Sequence, residues 1–342
     1  MLFIALEHAF HGIVPNLLYL CSDMHENSEN MPTVSIIVPI YGVEQFIRKC
    51  AESLFSQTWT EIQYIFVDDG SPDRSAEILE EVLEAFPERK SQTAIIHQKN
   101  QGLPVVRKVG MGMATGEYII QVDSDDWVEP DYISSLVEKA VDEDADVVYC
   151  DFFKEYEGRQ PKIEREKDFF PTDGVMAVKA MHNSIIRAYM WNKLVKRDLI
   201  NTEGLILPLY GYHEDIVFNT QILYNARKCV HLKRPLYHYR RRRSGSMTRA
   251  FIVKTRKHSA LNMLHLYDSL PKDKGPVTTC GIDILLRAGW YSCIIMDFKL
   301  LSAYPEAVKI LSEMKYVHNC RVPITKQVYT KMCCKILRLL WK

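Results

Sequence analysis

Long apolar runs, a basic leader and C-x-x-C cysteine pairs are all missing from this sequence of 342 residues. No segment offers the roughly 20 uninterrupted apolar residues that a membrane-spanning helix needs, so we expect no integral membrane protein. Residues 1–30 also lack a small-residue cleavage site, which argues against a signal peptide. We interpret them as an extension outside the domain, which an early choice of start codon would explain.

Cysteine spacing and net charge exclude two further classes of protein. The nine cysteines include no C-x-x-C pair and no zinc spacing, so we expect reduced thiols in a cytoplasmic protein, without disulfides or structural zinc. The 43 basic residues balance the 43 acidic residues. Because no overall field then attracts nucleic acid, we expect no nucleic-acid partner, and a charged ligand must be bound by a local patch.

Short apolar runs alternate with longer segments of helical period as far as Tyr149. The runs lie at 34–40, 61–67, 93–97, 117–122 and 145–150. They predict an α/β fold with a mostly parallel central sheet, and their continuous apolar character predicts helices on both faces. The helical segments lie at 44–57, 71–86, around 103–114 and at 129–144. In the second of these, Ser71 and Pro72 suit the N-cap and first-turn positions.

After Cys150 the regular alternation ends. We expect the following residues to form a second half that packs on the first. We predict helix around 174–200, a helix over 213–228 that opens with acidic residues, and an edge strand at 229–240. The predicted organisation is one domain over 31–245, divided into halves at 31–150 and 151–245, followed by a helical region at 246–342.

Acidic clusters follow two of the predicted strands. The sequence "DDGS" occupies 68–71 and "DSDD" occupies 123–126. Because ligands in open α/β sheets bind at the carboxyl ends of the strands, both clusters should converge on one crevice. Asp123 and Asp125 present hard oxygen ligands that suit Mg²⁺ or Mn²⁺. The alternative is a solvated acidic turn that caps a helix at Glu129.

Six motifs then carry a resemblance in order and spacing. The motifs "VSIIVPIYGVEQFIRKCAESLFSQT", "YIFVDDGSPDRS", "NQG", "GEYIIQVDSDDW", "WNKL" and "HEDIVFN", between about 33 and 245, resemble those of the family 2 glycosyltransferases. These are inverting enzymes of the GT-A fold. The resemblance implies a Rossmann-like nucleotide-diphospho-sugar transferase fold with a mostly parallel central sheet and a helical C-terminal region.

The resemblance also assigns residues to the sugar donor. Pro39 and Tyr41 would line the nucleotide base, and Asp69 would hydrogen-bond it unless it caps the helix expected at Pro72. Asp123 would reach the ribose or a metal-bound water, and Asp125 would ligate the metal between the two phosphates, with Asp126 either assisting or orienting the turn. The other implied donor-binding positions are Glu44, Arg107, whose neighbours Val106 and Lys108 depart from the family pattern, and Lys193 with the arginines at 240–243.

A general base for inverting transfer is implied by "HED". One carboxylate must take the proton of the acceptor hydroxyl, and by resemblance this is Asp215, with Glu214 supporting the base or the acceptor. The alternative is that both acids simply favour the start of a helix.

The function that these residues imply is metal-dependent transfer of a sugar from a nucleotide diphosphate-sugar to a hydroxyl acceptor, in the synthesis of a cell-surface polysaccharide or a lipid-linked glycan. A sugar-1-phosphate nucleotidyltransferase should show a glycine-rich loop with arginine after the first strand, which is missing. A non-catalytic nucleotide-sugar-binding protein would tolerate loss of the base, yet Asp215 is present.

The C-terminal segment predicts a basic amphipathic helix. Lys331, Lys335, Arg338 and Lys342 share one face of it. Such a helix either contacts anionic lipid on the inner face of the cell membrane or packs on its own domain.

Overall fold

A computed structural model of the chain describes residues 31–167, 172–241 and 252–271, together with residues 275, 280, 281 and 284. For 252–254 it describes the backbone alone. The expected extension at 1–30 and the basic C-terminal helix lie outside the described residues. Within the described part, no helix is both long enough and apolar enough to cross a membrane.

Nine strands of the described residues join into one mixed sheet. They are β1 (Val34–Ile40), β2 (Ile62–Asp68), β3 (Thr93–His97), β4 (Tyr118–Gln121), β5 (Trp127–Val128), β6 (Val147–Tyr156), β7 (Lys162–Glu164), β8 (Lys193–Lys196) and β9 (Cys229–Arg241). Their order is β3-β2-β1-β4-β8-β6-β9-β5, with β7 paired to β6. β1 to β4 run parallel, as do β6 and β9, whereas β8 is antiparallel to both of its neighbours. The prediction of a mostly parallel sheet is confirmed.

Helices cover both faces of this sheet, as its apolar strands require. Those in the described residues are α1 (Ile47–Phe55), α2 (Ser75–Glu84), α3 (Leu103–Met113), α4 (Tyr132–Asp142), α5 (Gly174–His182), α6 (Glu214–Leu223) and α7 (Ile252–Ser269). Alternate residues of β1 face opposite sides. Ile37 packs in the cluster that contains α3, α5, α6 and α7 residues, whereas Ile36 packs in the cluster built by α1, α2 and α4.

The second helix begins later than expected. α2 starts at Ser75 rather than at Pro72, so Ser71 is not its N-cap. The reason is a side-chain hydrogen bond in the preceding turn: the carboxylate of Asp73 accepts the backbone N–H of Ser75 at 3.1 Å. Ser71 instead donates its own N–H to Oδ1 of Asp68 at 3.0 Å.

The prediction of a helix around 174–200 is correct only as far as His182 and wrong beyond it. α5 ends at His182, and the chain continues through Ser184, whose φ is +57°, to strand β8. Leu194 and Val195 of β8 are buried in opposite core clusters. This two-residue alternation fits a strand covered on both faces, so tertiary burial overrides the local helical pattern.

The strand expected at the edge, β9, has neighbours on both sides. β5 pairs with it at Tyr237 and His238, and β6 pairs with it along its length. Its register against β6 shifts around Pro235, a residue with no N–H to donate to a neighbouring strand.

Two glycines of α3 provide a matched test of how closely α3 packs against β1. A Cβ on Gly110 would lie 2.3 Å from Cγ2 of the buried Ile37, whereas a Cβ on Gly112 would meet nothing within 4 Å. We expect Gly110→Ala to lower the free energy of unfolding by about 1–3 kcal/mol, because β-branched Ile37 has little room to move. Gly112→Ala should raise it by about 0.5–1 kcal/mol through helix propensity. Denaturant unfolding of both variants measures the difference, and equal effects would contradict the close approach of α3 to β1.

Candidate active site

The carboxyl ends of β1, β2 and β4 lie side by side at one edge of the sheet. Ile40 pairs with Asp68, and Ile37 pairs with Gln121, two residues before Asp123. The acidic clusters that follow β2 and β4 are therefore neighbours, as the topology predicts.

The acidic turn, residues 123–126, is held from β9. The hydroxyl of Tyr237 accepts the N–H of Asp123 at 3.1 Å and donates to Oδ2 of Asp126 at 2.8 Å. The N–H of Arg240 donates to Oδ1 of Asp126 at 2.7 Å. Burial, followed by the charges of Asp125 and Asp123, raises the pKa of Asp126 well above its usual range. Asp126 thus orients the turn, whereas Asp123 and Asp125 are half-exposed.

The alternative role expected for this turn does not occur. α4 begins at Tyr132 rather than at Glu129, and β5 separates the turn from it. The acidic turn is therefore not a helix cap.

The guanidinium of Arg107 connects the acidic turn to α6. Arg107 is only 3% exposed. Its Nη2 donates to Oδ1 of Asp123 at 2.9 Å, and its Nε lies 3.5 Å from Oε1 of Glu214. Nη1 donates to the side chain of Gln121. One buried cation therefore brings together Asp123 and Glu214, which are 91 positions apart in sequence.

The first turn of α6 carries Glu214 and Asp215. Burial and then the charge of Asp215 raise the pKa of Glu214, while Arg107 acts in the opposite direction. Asp215 is half-exposed, and its Oδ1 accepts the N–H of Ile216 at 2.8 Å. Residue His213, just before the helix, has a left-handed φ of +62°. The two acids therefore differ: Glu214 is buried against Arg107, and Asp215 is oriented at the surface.

Helix α7 fixes the loop that leads into α6. The buried side chain of Asn262 accepts the N–H of Tyr210 at 3.0 Å and donates to the carbonyls of Tyr210 and Tyr212 at 2.8 and 3.0 Å. The hydroxyl of the buried Ser259 lies 2.8 Å from Nδ1 of His213. The position of Asp215 thus depends on a helix beyond the predicted domain boundary at 245.

On the donor side, Asp69 binds a loop rather than α2. Its carboxylate accepts hydrogen bonds from Nε2 of Gln98 at 2.7 Å and from the N–H groups of Gln101 and Gly102, both at 2.8 Å. It therefore fixes the "NQG" loop at the start of α3. Capping of α2, the alternative considered from the sequence, does not occur.

Three other predicted donor residues surround the end of β1. Pro39 is buried within the strand, and Tyr41 is 54% exposed. Glu44 accepts the N–H of Arg74 at 3.2 Å and donates its own N–H to Asp73 at 3.1 Å. Of the three, Tyr41 and Glu44 are exposed, whereas Pro39 is buried.

Lys193 does not reach the acidic turn. It is 3% exposed, and its Nζ donates to the carbonyls of Arg187 and Tyr189 at 3.0 and 2.7 Å and to Oδ1 of Asn192 at 2.9 Å. Because an ammonium has three hydrogens to donate, these bonds leave none for a phosphate. The role expected for Lys193 at the diphosphate is therefore not supported by its position.

Arg240, unlike Lys193, contacts the acidic turn. Its Nε donates to the carbonyl of Asp125 at 3.0 Å, and its guanidinium carbon lies 4.7 and 4.9 Å from the ring centroids of Phe46 and Trp127. Of the arginines at 240–243, residues 242 and 243 lie outside the described part of the chain.

The sequence matches the model "Glycosyl transferase family 2" over residues 35–204. Glycosyltransferase GlyG of Streptococcus pneumoniae serotype 4 is 32% identical over 228 residues, which are 63% of this chain and 73% of GlyG. The chain belongs to glycosyl transferase family 2. EpsH of Bacillus subtilis is 38% identical to this family 2 chain over 214 residues, 61% of each protein. The chain thus spans about three fifths of the length of EpsH, and equally of EpsJ from the same organism.

Solved structures show the fold of this family 2 chain. Staphylococcus aureus TarS 1-349 in complex with UDP-GlcNAc has a TM-score of 0.61 at 17% identity and covers 89% of both chains. Mannosyltransferase PcManGT from Pyrobaculum calidifontis, in complex with GDP-Man and Mn²⁺, has a TM-score of 0.53 at 17% identity and covers 99% of this chain and 98% of its own. The expectation of a GT-A glycosyltransferase fold is confirmed.

The link through Arg107 leads to a stability prediction. We expect Arg107→Met to lower the free energy of unfolding by about 3–5 kcal/mol, because it leaves Glu214 and Asp123 without their buried cation. The control is Arg48→Met, which removes an exposed ion pair with Glu81 of 2.8 Å and should cost less than about 1 kcal/mol. Chemical denaturation of both variants measures the difference, and equal losses would contradict a structural role for the link.

The loss of stability caused by Arg107→Met should also depend on pH. Because the folded-state pKa of Glu214 is raised, its contribution to stability is complete at low pH and is lost as the pH rises through that pKa. Removal of Arg107 raises this pKa further. The Arg107→Met penalty should therefore be smaller at about pH 5 than at about pH 9, and an equal penalty at both would exclude Glu214 as its source.

Proposed function

We propose that this family 2 protein is an inverting glycosyltransferase that moves a sugar from a nucleotide diphosphate-sugar to a hydroxyl group of a glycan or lipid-linked acceptor. The observation that carries the proposal is the contact of Arg107 with both Asp123 and Glu214. It joins the turn expected to bind the donor to the helix expected to bear the base. A donor and an acceptor bound at these two places would meet at the same sheet edge.

The donor would lie along the carboxyl ends of β1, β2 and β4. TarS has been solved with UDP and with UDP-GlcNAc, and PcManGT with GDP-Man, which supports a nucleoside diphosphate-sugar here. The exposed ring of Tyr41 provides a surface for the base, and the loop fixed by Asp69 borders it.

In the proposed reaction, the acceptor oxygen attacks the anomeric carbon from the side opposite the diphosphate. The new carbon–oxygen bond forms as the bond to the β-phosphate oxygen breaks, and the acceptor proton passes to Asp215. The half-exposed carboxylate of Asp215 suits this role because Ile216 N–H orients it. Glu214, buried and held by Arg107, supports the turn on which Asp215 lies. A single displacement of this kind inverts the configuration at the anomeric carbon.

The acidic turn fits a divalent cation bound with substrate. Among the described residues, no three histidine, cysteine, aspartate or glutamate side chains are grouped closely enough to form a site alone. Asp123 and Asp125 nevertheless fit Mg²⁺ or Mn²⁺, since such ions often bind one or two carboxylates and complete their shell with water and substrate phosphates. When bound, the ion would offset the charge on the departing diphosphate.

A location at the membrane remains a prediction from the sequence. The cysteine pattern favours the cytoplasm, and the basic amphipathic segment would add peripheral contact with anionic lipid.

We expect Asp215→Asn to reduce transfer by about 10²–10⁴-fold while donor binding is retained, because the amide is nearly isosteric but cannot accept the proton. Release of nucleoside diphosphate from a panel of nucleotide-sugars, with and without acceptors, measures transfer, and calorimetry measures donor binding. Asp198→Asn, at an exposed position, is the control. Wild-type transfer by Asp215→Asn would move the base to another residue.

We expect Asp125→Asn to reduce transfer by roughly 10²-fold or more and to abolish the enhancement of donor binding by Mn²⁺, because one carboxylate ligand is lost. Excess chelator should have the same effect on the wild type. Donor titrations with and without Mn²⁺, with exposed Asp142→Asn as the control, test this. Full turnover in chelator would exclude the metal-dependent mechanism.

A further inference from the structure

A group of stacked aromatic rings lies beside the candidate active site and has no role in the mechanism above. Trp191 is only 3% exposed. The ring of Tyr189 stacks on it with centroids 4.5 Å apart and an interplanar angle of 13°, and that of Tyr239 with 5.5 Å and 18°. The rings of Tyr189 and Tyr239 are 5.9 Å apart. Unlike Trp191, both tyrosines are partly exposed.

The segments that carry these two tyrosines are connected to the acidic turn and to Asp215 by hydrogen bonds of neighbouring residues. Tyr239 follows Tyr237 by two residues in β9, so it shares the face of the strand that binds the acidic turn. Tyr189 follows Ala188, whose carbonyl accepts Nδ2 of Asn219. The same Nδ2 donates to the carbonyl of Asp215 at 2.9 Å.

Electrostatics agree with this placement. Burial raises the pKa of Tyr189, and the charge of Asp215 contributes in the same direction. For Tyr239, burial has the largest effect, and the carboxylates of the acidic turn also raise the pKa. Each ring is thus close enough to one part of the candidate active site to be affected by its charge.

The buried ammonium of Lys193 orders the segment that carries two of these rings. Its bonds to the carbonyls of Arg187 and Tyr189 and to the side chain of Asn192 fix the segment that carries Tyr189 and Trp191. Binding to an ordered surface loses less conformational entropy than binding to a mobile one. Lys193 is therefore a positioning residue for Tyr189 and Trp191.

We infer that Tyr189 and Tyr239 form a stacking platform for a sugar ring of the acceptor. A pyranose has a face rich in C–H groups that packs on an aromatic ring, while its hydroxyl groups remain at the rim for hydrogen bonding. A ring bound here lies beside Asp215, where one of its hydroxyl groups can lose a proton. If the proposed function holds, the acceptor is a pyranose-containing glycan rather than an open-chain polyol or a lipid phosphate.

The test compares removal of the ring with removal of the hydroxyl group alone, in the full chain. Tyr239→Leu and Tyr189→Leu remove the stacking surface, whereas Tyr239→Phe and Tyr189→Phe retain it. Saturation-transfer NMR measures binding of methyl β-glycosides of glucose, galactose and N-acetylglucosamine, with glycerol and ribitol as open-chain probes. Hydrolysis of the donor by water is measured separately, and far-UV circular dichroism checks the fold.

We expect the wild type to bind at least one methyl glycoside and neither open-chain probe. Each Leu variant should raise Kd and acceptor KM by about tenfold, with donor hydrolysis unchanged, because one aromatic contact is lost. The Phe variants should remain within about threefold of the wild type. Equal effects of Leu and Phe, or loss of donor hydrolysis together with glycoside binding in well-folded variants, would overturn the platform.

The wild-type results separate this inference from the proposed function. Donor hydrolysis without glycoside binding would refute the platform and leave the transferase proposal intact. Glycoside binding without hydrolysis or transfer of any nucleotide-sugar would support the platform and refute the transferase proposal. Preferential use of an open-chain polyol or a lipid phosphate as the acceptor would refute the platform directly.

Discussion

The buried guanidinium of Arg107 is the interaction on which the geometry of the candidate site depends. Its two carboxylate partners belong to different parts of the chain, Asp123 after β4 and Glu214 at the start of α6. A buried cation without its partners is strongly destabilising, and so is a buried carboxylate without its cation. Since the folded state must satisfy all three groups together, packing that separates the acidic turn from α6 is disfavoured. The juxtaposition on which the proposed transfer depends is therefore also a condition of stability.

The same dependence extends through the sheet and beyond it. β8 and β9 come from the second predicted half, yet β8 pairs with β4 of the first half, and both pair with β6, which crosses the predicted boundary at 150. Tyr237 and Arg240 of β9 fix the acidic turn, and Asn262 of α7 fixes the loop before α6. Residues on both sides of the predicted boundary at 245 thus contribute to one site, and the predicted halves divide the sequence without dividing the sheet.

Local patterns predicted the parts of this arrangement that local forces determine. Continuous apolar runs located β1 and β3 to the residue, and acids after β2 and β4 located the sheet edge. Local patterns do not predict the structure where contacts between distant residues determine it. β8 is a strand because it is covered on both faces, and the bonds from Tyr237 to Asp126 and from Asn262 to Tyr210 join segments whose proximity no short motif records. The two-residue spacing of Tyr237 and Tyr239 was a usable signal for a shared face.

Burial explains why similar carboxylates at this edge have different roles. Asp69 and Asp126 are 3% and 1% exposed and fully engaged with backbone or tyrosine donors, so they set the shape of the edge. Asp123, Asp125 and Asp215 are half-exposed. Arg107 and Arg240 lie among these acids, and a diphosphate would add further negative charge to the same edge. Because like charges at close range repel strongly in a partly buried site, the proposed divalent cation would stabilise that charge density when it arrives with the donor.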